Sequence, residues 1–253
     1  MLKLLVIAGL LLFFVSRLLP RLGSTLGRQA RKPFRQARWM WSWVAGSEAD
    51  SIAAEHEYGR ECAREFAAQF PESVPAARQE LVAAVGSRLA EAVKDPRRRF
   101  RFTVVSAPNC NAFALPGGFV FVTESLVDLC AGDHDEIAFL LGHEMGHVLR
   151  GHVRDQLTAA VFLNAVTSRL PAAGQMLREV LNRGYSRDLE LEADRDALPL
   201  ARAAGFDPCG ALRALRRLAE VSAGAEGLGE YFSTHPSFAA RLSELERQLA
   251  RCM

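Results

Sequence analysis

The sequence predicts an α+β fold, mostly helical with one small sheet. Three observations carry that prediction. After residue 47, apolar residues recur at three- and four-residue spacing through most of the chain, the repeat of amphipathic helices. Runs rich in β-branched and aromatic residues, with turn signals between them, are confined to residues 101–123. The 253 residues show no internal repeat and are 49% hydrophobic, 24% charged and 8% aromatic. That composition builds an ordinary buried core and excludes a disordered, collagen-like or simple coiled-coil chain.

The N-terminal part stands apart. Leu4 to Val15 (LLVIAGLLLFFV) is apolar and flanked by Lys3 and Arg17. As a helix it spans about 18 Å, short of the ~30 Å hydrocarbon core, but Met1 to Leu19 reaches across if both cations snorkel to the headgroups. Residues 1–20 are therefore expected to form a membrane-anchor helix or a signal segment. No A-x-A-like cleavage site follows, which favours the anchor. Residues 21–47 read as a basic juxtamembrane linker. Trp39, Trp41 and Trp43 lie beside Arg31, Lys32, Arg35 and Arg38, a mixture suited to a lipid headgroup surface. The net charge of +2 hides this asymmetry: eight of the 31 Lys and Arg fall in residues 1–47, which hold no acid, leaving 23 basic against 29 acidic residues in the rest. An acidic body with no nucleic-acid motif excludes nucleic acid as the partner.

Residues 48–253 are expected to form one domain. Ile52, Ala53, Tyr58, Cys62, Phe66 and Phe70 place a helix from Glu48 that Pro71 ends, and a second helix runs from Ala76 to Val93. Arg101 to Ala107 is a strand, and Ala112 to Thr123 is two short strands around Pro116-Gly117-Gly118. Asp133, with Glu136 three residues on, can cap a helix over Ile137 to Arg154. Leu157 to Leu170 is apolar but too short for a true span, so it packs in the core or touches a membrane shallowly. Helices then follow over Ser186–Ala204, from Asp207-Pro208 to Val221, and over Ser237–Ala250. The five cysteines are odd in number and without CxxC spacing, so they read as isolated thiols.

The chemistry concentrates at His143-Glu144-Met145-Gly146-His147. The chance of an H-E-x-x-H in a chain of this composition is about 1%. On a helix, residues i and i+4 share a face, so both imidazoles can converge on one Zn²⁺, with Glu144 beside them as a general base. A catalytic zinc takes a third protein ligand. A histidine at metzincin spacing would fall at position 153, which is valine. Carboxylates remain, in SRDLELEADRDA (Ser186 to Ala197): Glu190 with Asp194 on one face, or Glu192 with Asp188 and Asp196 on another. Spacing alone leaves both faces open. His152, five residues after His147, falls off the zinc face of a continuous helix and reads as structural; His56 and His134 read as surface or capping residues.

H-E-x-x-H preceded by NAFALPGG and followed by YSRDLELEAD resembles the gluzincin family of CAAX prenyl endopeptidases, HtpX-type membrane proteases and Oma-type and BepA-type quality-control proteases. The resemblance covers roughly residues 48–251. With one apolar N-terminal segment, the chain is most similar to the compact Oma-type and BepA-type branch. The resemblance implies a zincin-type fold, Glu190 as the third zinc ligand beside His143 and His147, and Asp194 as the partner that orients a ligand histidine. It implies a membrane-associated zinc metalloendopeptidase that acts on misfolded or unassembled membrane or envelope proteins, with Glu144 as base. His235, in THPSFAARL, resembles a histidine-proline segment of the compact branch. Its expected role is a fourth ligand or gate, an oxyanion donor, or a cap of the terminal helix; Tyr185 and Arg187 are further donor candidates. Asn111 to Thr123 resembles the family's active-site edge strand, where unfolded polypeptide can add by main-chain hydrogen bonds. The alternative function is a catalytically silent zinc-binding, chaperone-like or scaffold module at the membrane.

Overall fold

The computed structural model describes residues 47–166, 184–222, 234–236 and 238–250, Pro71 excepted; of residues 161–166 and 221–222 it gives the backbone alone. The expected N-terminal anchor and basic linker lie outside the described residues. Among the described residues, eight helices and three strands follow in order: α1 (Glu48–Ala67), α2 (Ala76–Ala92), β1 (Arg101–Val105), β2 (Ala112–Leu115), β3 (Phe119–Thr123), α3 (Glu124–Leu129), α4 (His134–Arg150), α5 (His152–Val166), α6 (Arg187–Ala203), α7 (Gly210–Ser222) and α8 (Phe238–Ala250). The fold is α+β and mostly helical, as the sequence predicts. None of these helices is long and apolar enough to cross a membrane.

The sheet has the order β1-β3-β2. β1 runs parallel to β3, and β2 pairs antiparallel with it in the register Phe113↔Phe121. β2–β3 is the hairpin that the Pro116-Gly117-Gly118 signal predicts. All nine of its strand residues are buried, because helices cover both faces. Val120, Val122, Ala112 and Ala114 pack with α2 and α4 in the main core. Phe113, Phe119 and Phe121 pack on the other face against Tyr58, Cys62 and Phe66 of α1 and Leu157 of α5. Leu157 thus enters a core, one of the two roles expected of the apolar run it begins.

α1 grips the hairpin turn as well as the sheet. Glu55 Oε1 accepts from Gly117 N at 3.1 Å, and the His56 ring donates from Nδ1 to Gly117 O at 2.8 Å. His56 also stacks on Phe119 with ring centroids 4.9 Å apart. It is a tertiary anchor, not the surface or capping residue expected.

α4 is the central element: from Glu136 to Val148 every residue is buried. Asp133 caps it, accepting from Asp135 N at 2.9 Å and Glu136 N at 3.1 Å. Glu136 does not complete a capping box; it is buried and held bidentate by Arg217 of α7. The helix also stops four residues earlier than predicted. Gly151, at φ 78°, takes the left-handed conformation that ends a helix and that a side chain disfavours. Its close neighbour is α6: a Cβ on Gly146 would lie 3.0 Å from Ala193 O, so the glycine lets the two backbones approach.

Candidate metal centre

α4, α6 and the segment before α8 bring four donors to one point. Ligand atoms of His143, His147, Glu190 and His235 lie within 4.8 Å of one another, and all four residues are buried. His143 Nε2 is 3.1 Å from His147 Nε2 and 3.3 Å from His235 Nδ1. Glu190 Oε1 is 3.3 Å from His147 Nε2 and 3.1 Å from His235 Nδ1.

The outer nitrogens explain what these inner ones are. His143 Nδ1–H donates to Asp194 Oδ1 at 2.8 Å. His147 Nδ1–H donates to His152 Nδ1 at 3.0 Å, because His152 Nε2–H is directed to Glu192 Oε2 at 3.3 Å. His235 Nε2–H faces the Ala112 carbonyl at 3.3 Å and Glu144 Oε1 at 3.4 Å. Each imidazole, when neutral, therefore turns a lone pair inward, towards a carboxylate. Lone pairs this close repel unless a proton or a metal cation sits among them. Three imidazoles and one carboxylate are a zinc donor set, and a tetrahedron with bonds of about 2.05 Å has edges of about 3.3 Å. Four of the donor separations, at 3.1–3.3 Å, are near that edge, and the whole set lies within 4.8 Å.

Charges around the centre are strongly coupled. Burial presses His143 towards neutrality and the Arg241 charge adds to this, but Glu190 and Asp194 outweigh both and lift its pKa to about 9. Burial dominates at His147, whose pKa falls well below the usual histidine value. Burial would raise Glu190, yet the charges of His235 and His143 hold it far below the usual carboxylate range. Asp194 is likewise raised by burial but pulled down to about 2 by Arg241 and His143.

His143, Glu144 and His147 of H-E-x-x-H and Glu190 and Asp194 of YSRDLELEAD all lie here. Glu190 and Asp194 share the face of α6 turned to α4, and Glu144 is buried at the rim of the cluster through its contact with His235. His235 joins the donors. Tyr185 stacks on His147 at 3.7 Å between centroids, and its backbone N–H donates to Thr234 O at 3.1 Å. Burial, then the charges of Glu144 and Glu190, push its phenol well above the usual value. Arg187 is exposed at the start of α6.

The contacts of two residues at the centre escape the sequence reading. Arg241 of α8 has no solvent exposure; its Nη1 lies 2.9 Å from Glu190 Oε2, and it holds Asp194 bidentate at 2.7 and 2.8 Å. Periodicity reads an arginine in an amphipathic terminal helix as a surface charge, although Arg241 lies within the THPSFAARL segment quoted for His235. His152 does carry a signal. Gly151 before it breaks α4, so His152 begins a new helix and returns towards His147.

Similarity to known proteins agrees with this geometry. The Peptidase family M48 profile matches residues 76–249. The chain is 36% identical over 165 residues to mitochondrial metalloendopeptidase OMA1 of Schizosaccharomyces pombe, covering 60% of this chain and 47% of that protein. It is 29% identical over 161 residues to the Escherichia coli metalloprotease LoiP, covering 59% and 62%. It is also 29% identical over 182 residues to the E. coli metalloprotease YcaL, covering 65% and 70%. The chain spans about half the length of the yeast relative and about a third of the bovine OMA1 it also matches. The profile match runs from the start of α2 into α8 and takes in every donor of the cluster, and on that ground the chain belongs to Peptidase family M48.

Proposed function

We propose that the chain is a membrane-associated zinc metalloendopeptidase that hydrolyses peptide bonds of misfolded or unassembled membrane or envelope proteins. The observation that carries the reading is the convergence of three imidazole nitrogens and the Glu190 carboxylate on one buried point, with the Glu144 carboxylate beside it.

Zinc, when bound, supplies a Lewis acid that polarises a peptide carbonyl and makes water acidic enough to attack near neutral pH. The chain's own residues do the rest. His143, His147 and Glu190 would hold the ion. Glu144 takes the proton of the attacking water on its carboxylate and passes it to the leaving amine. Asp194 accepts from His143 Nδ1–H, which keeps Nε2 as the donor. His235 would offer Nδ1 as a fourth donor and so gate the centre, since substrate needs that position open.

The sheet supports an unfolded substrate. Among the described residues β2 is an edge strand, and its first carbonyl, Ala112 O, lies 3.3 Å from His235 Nε2. An extended polypeptide can add to that edge through main-chain hydrogen bonds, which tolerate many side chains. Residues 1–20 are proposed as the anchor or signal, residues 21–47 as the lipid-facing linker, and residues 48–253 as the peptidase domain. The names of the matched relatives, metalloendopeptidase and metalloprotease, support the activity.

The test is turnover of fluorescent casein by the purified protein before zinc removal, after it, and after zinc is returned. Cleavage should vanish with the zinc and return with about one equivalent per chain. Zinc binding without cleavage would replace this reading with the silent chaperone-like module.

A further inference from the structure

His147 Nδ1 does not meet a carboxylate or a backbone carbonyl, the usual partners of a ligating histidine. It meets another imidazole. Round a continuous helix His152 would sit about 140° from His147. Gly151 at φ 78° ends α4 instead, α5 starts at His152, and its buried ring comes back to 3.0 Å from His147 Nδ1. For that contact to be a hydrogen bond, one Nδ1 must donate and the other accept. Glu192 decides which. Its Oε2 lies 3.3 Å from His152 Nε2, so the His152 proton stays on Nε2 and its Nδ1 is left as the acceptor. Glu192 is 37% exposed, yet Arg150 steadies its helix, with a bidentate bond to Asp196 one turn on and Nη1 3.9 Å from Glu192 itself. The face of α6 opposite the metal is thereby used as well.

We propose that His152 and Glu192 act as a positioning pair that fixes His147 as its Nδ1–H tautomer and so sets how tightly the centre holds zinc. Without the acceptor at His152, the Nδ1–H of His147 is buried unsatisfied, or moves to Nε2 and blocks the donor. Without Glu192, His152 is free to turn a proton towards His147. The pair acts through His147 and touches no substrate. The inference rests on the zinc centre proposed above.

The experiment is competition for zinc between the full-length protein and a chromogenic chelator, for wild type, His152→Leu, His152→Gln and Glu192→Ala. His152→Leu removes the acceptor and should weaken zinc binding about 10–100-fold. His152→Gln keeps an oxygen that can accept from His147 Nδ1–H and should recover most of that loss, a rescue that mere packing would not produce. Glu192→Ala should weaken binding less, in the same direction. Affinity within about twofold of wild type for His152→Leu, or a glutamine variant as weak as the leucine variant, overturns the proposal. If His152→Leu does not fold, Glu192→Ala decides, and an unchanged affinity there overturns it. A wild-type protein that binds no zinc would refute the centre itself, whereas tight wild-type binding with unaffected variants refutes the pair alone.

Discussion

Arg241 Nη1 lies 2.9 Å from Glu190 Oε2, with neither side chain reached by solvent. The same guanidinium holds Asp194 bidentate. One cation from the last helix thus neutralises two acids that α6 drives into the interior, one of them the proposed zinc ligand. A buried carboxylate is costly unless paired, and a planar fork pairs two at once.

Removing that cation should be expensive. Arg241→Leu leaves Glu190 and Asp194 buried together, and breaking such a network costs about 3–5 kcal/mol. Arg241→Lys should recover only part of it, because an ammonium lacks the fork geometry. Denaturant unfolding of the zinc-free protein measures the loss. It should shrink in the zinc-loaded protein, where the ion takes over part of the charge on Glu190.

Glu190→Ala should lower zinc content after dialysis to well below one per chain, because one of four donors and its charge are gone. Metal analysis of the dialysed protein checks this. Full retention of zinc would mean that the α6 carboxylate is not a ligand.

His235→Ala should keep zinc on the three remaining donors and raise turnover of casein, since the fourth position is opened. Steady-state kinetics on the zinc-loaded variant decide. A fall in kcat of about 10²–10³ would instead make His235 an oxyanion donor.

Much of this was legible in the sequence. H-E-x-x-H needs a helix to converge, and the apolar pattern around residues 137–150 supplies one. Spacing also separates Glu190 and Asp194 from Glu192 and Asp196, but it cannot say which face meets α4. The structure uses both, the first at the donors and the second at His152 and Arg150. Arg241 was illegible because periodicity describes a helix face and not the acids a distant helix brings to it. His56 was illegible for the same reason: its partner, Gly117 O, is 61 residues away. His152 stays outside the donor set, as read, but its contact with His147 was missed for a local reason, a left-handed glycine treated as helix interior.

The start of α4 gives a pH-dependent check. Burial raises the Asp133 carboxyl, but Arg213 and the two capped N–H groups outweigh it and hold the pKa below the ordinary value. A lowered folded-state pKa stabilises above the unfolded value and loses that contribution as pH falls through the folded one. Asp133→Ala should therefore cost about 1 kcal/mol at neutral pH through the lost cap. The gap to wild type should narrow once pH drops below the usual aspartate value of about 3.8. Unfolding curves across that range check it.

The most direct measurement is casein turnover by zinc-loaded Glu144→Gln beside zinc-loaded wild type. The amide keeps the size of Glu144 but cannot take a proton, and the donors on α4 and α6 are untouched. Zinc content should stay at one per chain while hydrolysis falls at least 10²–10⁴-fold. Near-wild-type turnover by that variant would contradict the account.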